Sequence, residues 1–210
     1  EMFTAPENGT LYVNRCYYED PNIEVHLPVN KSFDELDSRL KAIESNAAAS
    51  PWNGCKANFI GDSIIYGSYG DLVGMVKDRL GLSVARNYGI GGSRLASTEY
   101  DADYAPVVLR YEEMDDDADI IWVAAGTNDY STQVPLGESD STDITTFNGA
   151  LNVMMDGLRA KYPDKLVVFA SILHRYNDKS LPIATDEYRN AIKERCEAKH
   201  FVFYDSYRYA

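Results

Sequence analysis

The sequence predicts an α/β protein, a three-layer α/β/α arrangement on a doubly wound five-stranded parallel sheet, with a short N-terminal β/helical extension. From residue 56 onward, short apolar runs alternate with longer helical stretches, a pattern typical of a parallel sheet covered on both faces. A length of 210 residues, 45% of them hydrophobic, is enough to bury one substantial core. One main domain is therefore expected over residues 55–210.

The extension before this domain divides into two parts. Residues 1–30 place aromatic and β-branched residues among Pro, Asn and Gly, which indicates short strands at the end of a β-rich domain. Residues 31–54 combine a short heptad helix, which Ser32 can cap, with a linker. The apolar positions of the helix follow a 3-4-3 spacing: Phe33, Leu36, Leu40 and Ile43. A helix of two heptads is unstable alone in water, so it either packs on its own domain or joins copies of itself in a coiled coil.

In the main domain, the apolar runs give the bounds of the sheet and its helices. The predicted strands are 57–60, 83–87, 119–125, 166–172 and 201–204, and the predicted helices are 71–80, 105–114, 144–161 and 185–199. The third strand is the most apolar and is therefore predicted to be central. Open doubly wound sheets bind ligands beyond the carboxyl ends of their strands, where the strand order reverses. Chemistry is thus expected in the loops after the first and third strands.

Charge and cysteine content exclude several classes of function. A formal net charge of −13 repels phosphate backbones, so no nucleic-acid partner is expected. No apolar run reaches the roughly 18 residues that a membrane span needs, and the first residues lack the pattern of a signal peptide, so a soluble chain with no membrane partner is expected. Cys16, Cys55 and Cys196 are odd in number and widely spaced, which fits neither a disulfide framework nor a zinc site. No metal and no organic cofactor are predicted.

Ser63 is the candidate nucleophile. It follows Gly61 and Asp62 directly after the first strand, on the turn toward a helix, where a serine hydroxyl is exposed and nearby N–H donors favour negative charge. The alternative is a serine that only caps a helix. A second candidate segment follows the second strand, Asn87-Tyr88-Gly89-Ile90-Gly91-Gly92-Ser93. Its glycines allow backbone N–H groups to turn toward an oxyanion, although a bare turn remains the alternative. Its spacing fits neither a dinucleotide loop nor a phosphate loop.

Asn128 is the third candidate residue. It lies in Gly126-Thr127-Asn128-Asp129, after the most apolar strand, and its side-chain amide can donate to an oxyanion without changing charge. As an alternative, Asn-Asp favours turns in any protein. If the sheet forms as predicted, all three segments lie at the carboxyl ends of their strands and face one crevice.

These three segments together resemble the first sequence blocks of the SGNH (GDSL-like) hydrolase superfamily. The resemblance covers residues 56–210 and implies a flavodoxin-like SGNH fold, with Ser63 as nucleophile and Gly92 and Asn128 completing the oxyanion hole. Asn87 to Gly92 is especially similar to the acetylhydrolase branch. The implied activity is that of a carboxylic ester hydrolase that needs no cofactor, and Asp62 and Asp129 are expected to support the loops through bonds to their backbone.

The fourth block of the superfamily, an Asp-x-x-His that supplies the general base, is absent from this sequence. A neutral serine needs a base to become nucleophilic. The favoured explanation is that the block lies beyond residue 210. The alternatives are a degenerate hydrolase that only binds its ligand, or His174 as a substitute base at the end of the fourth strand. His26 lies in the extension and His200 at a helix end, and neither is a good candidate.

The resemblance also leads to an expectation about substrate and setting. Small acyl esters are expected as substrates, with O-acetyl groups on carbohydrate as the first choice, since the 16 tyrosines include residues that could stack on sugars. A β-rich piece, a heptad helix and a hydrolase domain resemble the layout of some phage tail and cell-surface proteins. That likeness implies an extracellular, cell-surface or virion location and a homotrimer through residues 33–47. The competing hypothesis is a carbohydrate-binding or structural module of such a protein that no longer catalyses.

Overall fold

In the computed structural model, five strands form one parallel sheet. They are β1 (Lys56–Gly61), β2 (Val84–Gly89), β3 (Ile120–Ala124), β4 (Leu166–Ala170) and β5 (Val202–Tyr204). Their order across the sheet is β2-β1-β3-β4-β5, and every neighbouring pair is parallel. This confirms the predicted five-stranded parallel sheet, with β3 as its central strand.

The structure describes residues 50–98, 104–173 and 181–206, all of which belong to one unit, Ser50–Ala210. The predicted β-rich segment 1–30, the heptad helix and the trimer contact through residues 33–47 lie outside the described residues. Of the predicted linker, residues 51–54 form turns that lead into β1.

Six helices accompany the sheet in the described part of the chain. They are α1 (Ser63–Tyr66), α2 (Leu72–Leu80), α3 (Val107–Arg110), α4 (Thr127–Thr132), α5 (Phe147–Lys161) and α6 (Thr185–Lys199). Asp71 caps the start of α2 by accepting from the Gly74 N–H, and Gly81 ends it in the left-handed conformation. Thr146 caps α5 in the same way through the Gly149 N–H. The sequence prediction missed α1 and α4.

Four predicted bounds differ from the structure by two residues or more. The helix predicted over 144–161 begins at Phe147, since Thr146 caps it. The helix predicted over 105–114 is only the single turn α3, which begins after Pro106, followed by a 3-10 turn, Tyr111–Glu113. Strand β2 runs two residues past the predicted end at 87, because Tyr88 and Gly89 still pair with Ile60 and Gly61 of β1. Strand β4 ends at Ala170, two residues before the predicted 172.

Apolar side chains cover the sheet on two faces. On one face, α5 and α6 pack against Ile60, Ile121 and Phe169. The predicted core stripe of α5 is fully buried there, with Phe147, Leu151, Met154 and Leu158 at most 1% exposed. On the other face, Ile65 of α1 and Val73 of α2 pack against Ala57 and Phe59 of β1. Phe59 and Ile60 are adjacent in sequence and point to opposite faces, as alternation along a strand requires.

The strand order places the expected site. The chain moves outward from β1 to β2 and then crosses back over β1 to β3. The reversal therefore falls between β1 and β3, whose carboxyl ends are adjacent. The loops after these two strands, which carry Ser63 and Asn128, leave the sheet side by side.

Candidate active site

The nucleophile turn begins where β1 ends. Asp62 is 1% exposed, and its Oδ1 accepts a hydrogen bond from the Ile64 N–H at 3.0 Å, which starts the single-turn helix α1. Ser63 is the first residue of this helix and is partly exposed. Because amides in the first turn of a helix have no acceptor within the helix, the backbone N–H of Ser63 can serve an outside acceptor.

Two glycines allow this turn to sit tightly against the sheet. A Cβ on Gly61 would lie 2.1 Å from the carbonyl oxygen of Ala124 at the end of β3. A Cβ on Gly89 would lie 2.2 Å from the backbone nitrogen of Tyr66 in α1. Any larger residue at either position would push α1 away from the neighbouring strand ends.

The glycine loop after β2 is bound to the nucleophile turn. The carbonyl oxygen of Gly61, two residues before Ser63, accepts from the Ile90 N–H at 3.1 Å. It also lies 3.3 Å from the Ser93 hydroxyl, whose proton it shares with the Ile90 carbonyl oxygen at 3.0 Å. Between these two contacts lies Gly92, which is exposed and has a φ of +80°, a conformation that favours glycine. The predicted oxyanion donor is thus on a loop whose ends are fixed.

Asn128 is connected to the same loop from the other side. It lies in α4, which starts after Gly126, and its Nδ2 donates to the carbonyl oxygen of Ser93 at 2.8 Å. That carbonyl belongs to the residue directly after Gly92. Ser93 therefore contacts both the turn that carries Ser63 and the side chain of Asn128.

The side chain of Asp129 bonds to the backbone directly after the glycine loop. Its carboxylate is completely buried and accepts hydrogen bonds from the backbone N–H groups of Leu95 and Ala96, at 2.7 and 2.9 Å. Burial raises the pKa of Asp129 to about 6, while the two amide bonds and the charge of Arg94 act in the opposite direction. The predicted bonds of Asp62 and Asp129 to loop backbone are both present.

The structure thus brings the loops of Ser63, Gly92 and Asn128 together at the carboxyl edge of the sheet, through contacts at Gly61 and Ser93. The catalytic roles of the three residues remain predictions. His174 and His26 lie outside the described residues, and β4 ends four residues before His174. His200 follows α6 with a φ of 56° and precedes β5, so it lies toward the amino edge of the sheet, away from these loops.

Sequence reasoning missed Arg110. The residue is 6% exposed, and its side chain donates four hydrogen bonds. Their acceptors are the carbonyl oxygens of Ala105, Tyr88 and Gly61, at 3.0, 2.5 and 3.0 Å, and the Ser93 hydroxyl, at 3.1 Å. The one signal in the sequence is an arginine directly after the apolar run Val107–Leu109, where a helix predicted to face the core would not normally carry a charge.

Two further observations concern the described residues alone. Within residues 50–98, 104–173 and 181–206, no three His, Cys, Asp or Glu side chains are grouped so that they could hold a metal ion. In the same part of the chain, no helix combines the length and apolar character that crossing a membrane requires.

Comparison with known families and structures gives a consistent result. The profile of the GDSL-like Lipase/Acylhydrolase family matches residues 59–210. A crystal structure of a Lactobacillus plantarum protein is similar at 27% identity, with a TM-score of 0.66, over 74% of this chain and 78% of that protein. A GDSL-like lipase from Bacteroides uniformis is 20% identical with a TM-score of 0.57, over 71% of this chain and 82% of the lipase. An acetylxylan esterase from Geobacillus stearothermophilus is 20% identical with a TM-score of 0.52, over 76% of this chain and 79% of the esterase. None of the curated proteins matches.

Proposed function

The chain belongs to the GDSL-like lipase/acylhydrolase family, and from this premise we propose that it is a serine esterase that removes small acyl groups, with O-acetyl groups on carbohydrate as substrate, through an acyl-enzyme on Ser63. The family supports hydrolysis of carboxylic esters in general. The observation that carries the proposed acyl-enzyme on Ser63 is the position of Ser93. It bonds to Gly61 beside the nucleophile turn and to the side chain of Asn128, and it is the neighbour of Gly92.

In the proposed reaction, the Ser63 hydroxyl attacks the ester carbonyl carbon, and the carbonyl oxygen becomes an oxyanion. The backbone N–H groups of Ser63 and Gly92 and the side-chain amide of Asn128 donate to it. The alcohol leaves, and water then attacks the acyl-enzyme to release the acid and restore the serine. The base that takes the Ser63 proton is proposed to lie in an Asp-x-x-His segment outside residues 1–210, with His174 as the second candidate.

The amide of Asn128 suits this task because it carries two N–H donors. One of them donates to the Ser93 carbonyl oxygen at 2.8 Å, which fixes the orientation of the amide plane. The second can then point at a ligand oxygen without rotation of the side chain. A donor that is oriented in advance needs no reorganisation when negative charge develops, and this gives an oxyanion hole its effect.

Two tyrosines beside the glycine loop support a carbohydrate substrate. Tyr66 in α1 is 63% exposed, and its Cδ1 would lie 4.0 Å from a Cβ on Gly91. Tyr104 is 47% exposed, and its ring would lie 3.0 Å from a Cβ on Gly92. Exposed aromatic rings next to a reacting centre offer flat apolar faces on which a sugar ring can stack. The acetylxylan esterase from Geobacillus stearothermophilus takes a substrate of this class by its name, although at 20% identity its likeness extends to the fold alone.

Hydrolysis of p-nitrophenyl acetate by the full-length protein tests the proposal. We expect the Ser63→Ala variant to lose roughly a thousandfold or more in kcat/KM, because the residual rate comes from binding and the oxyanion hole alone. Ser68→Ala removes an exposed hydroxyl five residues further along the chain and is the matched control, expected to keep the wild-type rate. Equal rates for wild type and Ser63→Ala would refute the esterase.

A second function is a carbohydrate-binding or structural module that retains the fold without catalysis. The observation that favours it is the pair of exposed rings of Tyr66 and Tyr104, because they can hold a sugar ring whether or not Ser63 reacts. Binding of an acetylated xylo-oligosaccharide by calorimetry, with no release of acetate, would support the module over the enzyme. The extracellular, cell-surface or virion location and the homotrimer through residues 33–47 belong to both proposals, and the mass of the full-length protein in solution tests the trimer.

A further inference from the structure

Arg110 lies where the nucleophile turn and the glycine loop meet. One of its terminal nitrogens, Nη2, donates both to the carbonyl oxygen of Gly61 at 3.0 Å and to the hydroxyl of Ser93 at 3.1 Å. The other, Nη1, donates to the carbonyl oxygen of Tyr88 at 2.5 Å, near the end of β2. The guanidinium therefore joins the last residue of β1, the end of β2 and the residue after Gly92.

A charge in this position has an energetic cost. The residue is 6% exposed, and the acceptors of its four side-chain hydrogen bonds are three carbonyl oxygens and a hydroxyl, none of them a carboxylate. Burial lowers the pKa of Arg110, while the negative charges of Glu113 and Asp62 raise it. An arginine keeps its proton in such a setting. The fold therefore contains a buried positive charge, with a desolvation cost that a neutral side chain would not have.

The geometry explains what the cation provides. A guanidinium holds its five N–H donors in one rigid plane, and four hydrogen bonds from Arg110 are present. The carbonyl oxygen of Gly61 also accepts from the Ile90 N–H, and it shares the single hydroxyl proton of Ser93 with the carbonyl oxygen of Ile90, at 3.3 and 3.0 Å. Arg110 is thus one of three donors that converge on the Gly61 oxygen. A planar, multiply bonded group fixes both the distance and the angle between the two loops, which a single hydrogen bond cannot do.

Resting on the proposed function, we infer that Arg110 is a positioning residue that fixes the glycine loop against the nucleophile turn, so that the Gly92 N–H points at the oxygen of an ester bound to Ser63. It acts through Gly61 and Ser93 and does not touch the substrate. Because an oxyanion exists only along the reaction path, loss of this alignment lowers kcat and leaves KM nearly unchanged.

The test compares Arg110→Lys and Arg110→Met with wild type in the full-length protein, with p-nitrophenyl acetate as substrate and rates expressed per folded molecule. Lysine keeps the charge and loses the planar fork. We expect both variants to lower kcat roughly ten- to a hundredfold, the scale of effect that a misplacement of about 1 Å produces, with KM within about twofold of wild type. Folded variants that keep the wild-type kcat would overturn the inference.

Asn58→Leu is the matched control. Asn58 is completely buried in β1, and its Nδ2 donates to the Asp115 carbonyl oxygen and the Tyr162 hydroxyl, toward the opposite end of the strand. Its loss is expected to lower stability and to leave kcat per folded molecule unchanged. If Asn58→Leu lowers kcat as much as the Arg110 variants do, the effect is general destabilisation and the inference is wrong.

Ser93→Ala covers the case in which the Arg110 variants do not fold. This change removes one hydroxyl, and with it the Oγ contacts to Gly61, Ile90 and Arg110. We expect a several-fold loss of kcat at constant KM, and an unchanged kcat would count against the inference.

Hydrogen exchange separates this inference from the proposed function. If Ser63→Ala and wild type hydrolyse the substrate equally fast, the proposed esterase function is wrong. The contacts between Arg110 and the glycine loop can still be tested in the Arg110→Lys variant. We expect faster amide exchange across residues 90–93 in this variant than in wild type, with no change in α5. Equal exchange in residues 90–93 would show that Arg110 does not hold the loop.

Discussion

At the scale of single residues, three buried or partly buried asparagines show how the same amide serves different purposes. Asn148 and Asn152 donate to carbonyl oxygens of the segment before α5, at Gly137, Ser139 and Ser141, and fasten that segment to the helix. Asn128 donates to Ser93 at the carboxyl edge of the sheet. Only its position relative to Gly61 and Gly92 distinguishes it as a candidate for catalysis.

Asn128→Ala in the full-length protein is expected to reduce kcat for p-nitrophenyl acetate roughly a hundred- to a thousandfold, the usual effect of removing one oxyanion donor. Asn152→Ala is the control, since it also loses an amide bonded to backbone carbonyls, but away from the proposed site. If both variants lose the same small amount of activity, the Asn128 amide has only a structural role.

Asp129 gives a prediction for the pH dependence of stability. Its carboxyl has a folded pKa of about 6 against an ordinary value of 3.8, because burial disfavours the charged form. Folding therefore takes up a proton between about pH 4 and pH 6, and the free energy of unfolding rises as the pH falls through this window. In denaturant titrations, lowering the pH from about 7 to about 4 should raise the free energy of unfolding of the wild type relative to that of Asp129→Asn by on the order of 3 kcal/mol. If the free energy of unfolding of the wild type falls relative to that of Asp129→Asn as the pH is lowered, the pKa of Asp129 is lowered by folding. The bonds from Leu95 and Ala96 would then outweigh the effect of burial on that pKa.

At the scale of elements, the close approach of β1, β3 and α1 depends on Gly61. Gly61→Ala would place a methyl group 2.1 Å from the Ala124 carbonyl oxygen, and we expect a loss of about 2 kcal/mol or more in the free energy of unfolding. Gly91→Ala adds the same methyl group where the nearest atom is 4.0 Å away, in the Tyr66 ring, and is expected to be nearly neutral. Equal midpoints of thermal unfolding for the two variants would show that the turn is not tightly packed.

The same elements show what could be predicted from sequence. Apolar runs and caps locate the strands and the long helices, because burial decides them: α6 was predicted with the bounds observed. The short helices α1 and α4 have no such signal. They form because Asp62 caps one of them and Gly126 starts the other in the left-handed conformation, which are local effects over four to six residues. Ser63 and Asn128 could be singled out by sequence, whereas Arg110 has one weak signal, a charge directly after an apolar run, since its partners come from distant segments.

At the scale of the whole molecule, the charge of −13 reflects 33 acidic residues against 20 basic ones. Several ion pairs offset it locally at the amino edge of the sheet, including Lys56 with Asp117 and Lys165 with Asp119. Both pairs are well exposed and contribute little. Long-range repulsion among the remaining carboxylates therefore opposes folding.

Screening of this repulsion should stabilise the protein. We expect the midpoint of thermal unfolding at neutral pH to rise by a few degrees when NaCl is increased from about 20 to about 300 mM, because the Debye length becomes several-fold shorter. The control is the same salt titration near the isoelectric point of about 4.6. The net charge is close to zero there, so the midpoint of thermal unfolding should not rise with salt. A midpoint that falls with salt at neutral pH would show that the surface ion pairs outweigh the repulsion.

The fold as a whole serves to bring three distant segments to one place. Strand order puts β1 beside both β2 and β3, so the turn at Ser63, the loop at Gly92 and the helix at Asn128 all start from one edge of the sheet. Contacts at Gly61, Ser93 and Arg110 then hold the segments together.

The most direct test of this convergence is a crystal structure of the full-length protein after reaction with an alkyl fluorophosphonate. We predict a bond between phosphorus and the Ser63 oxygen, with one phosphonyl oxygen about 3 Å from both the Gly92 backbone nitrogen and the Asn128 amide nitrogen. An adduct on a different residue, or an adduct on Ser63 whose phosphonyl oxygen contacts neither Gly92 nor Asn128, would contradict the proposed site.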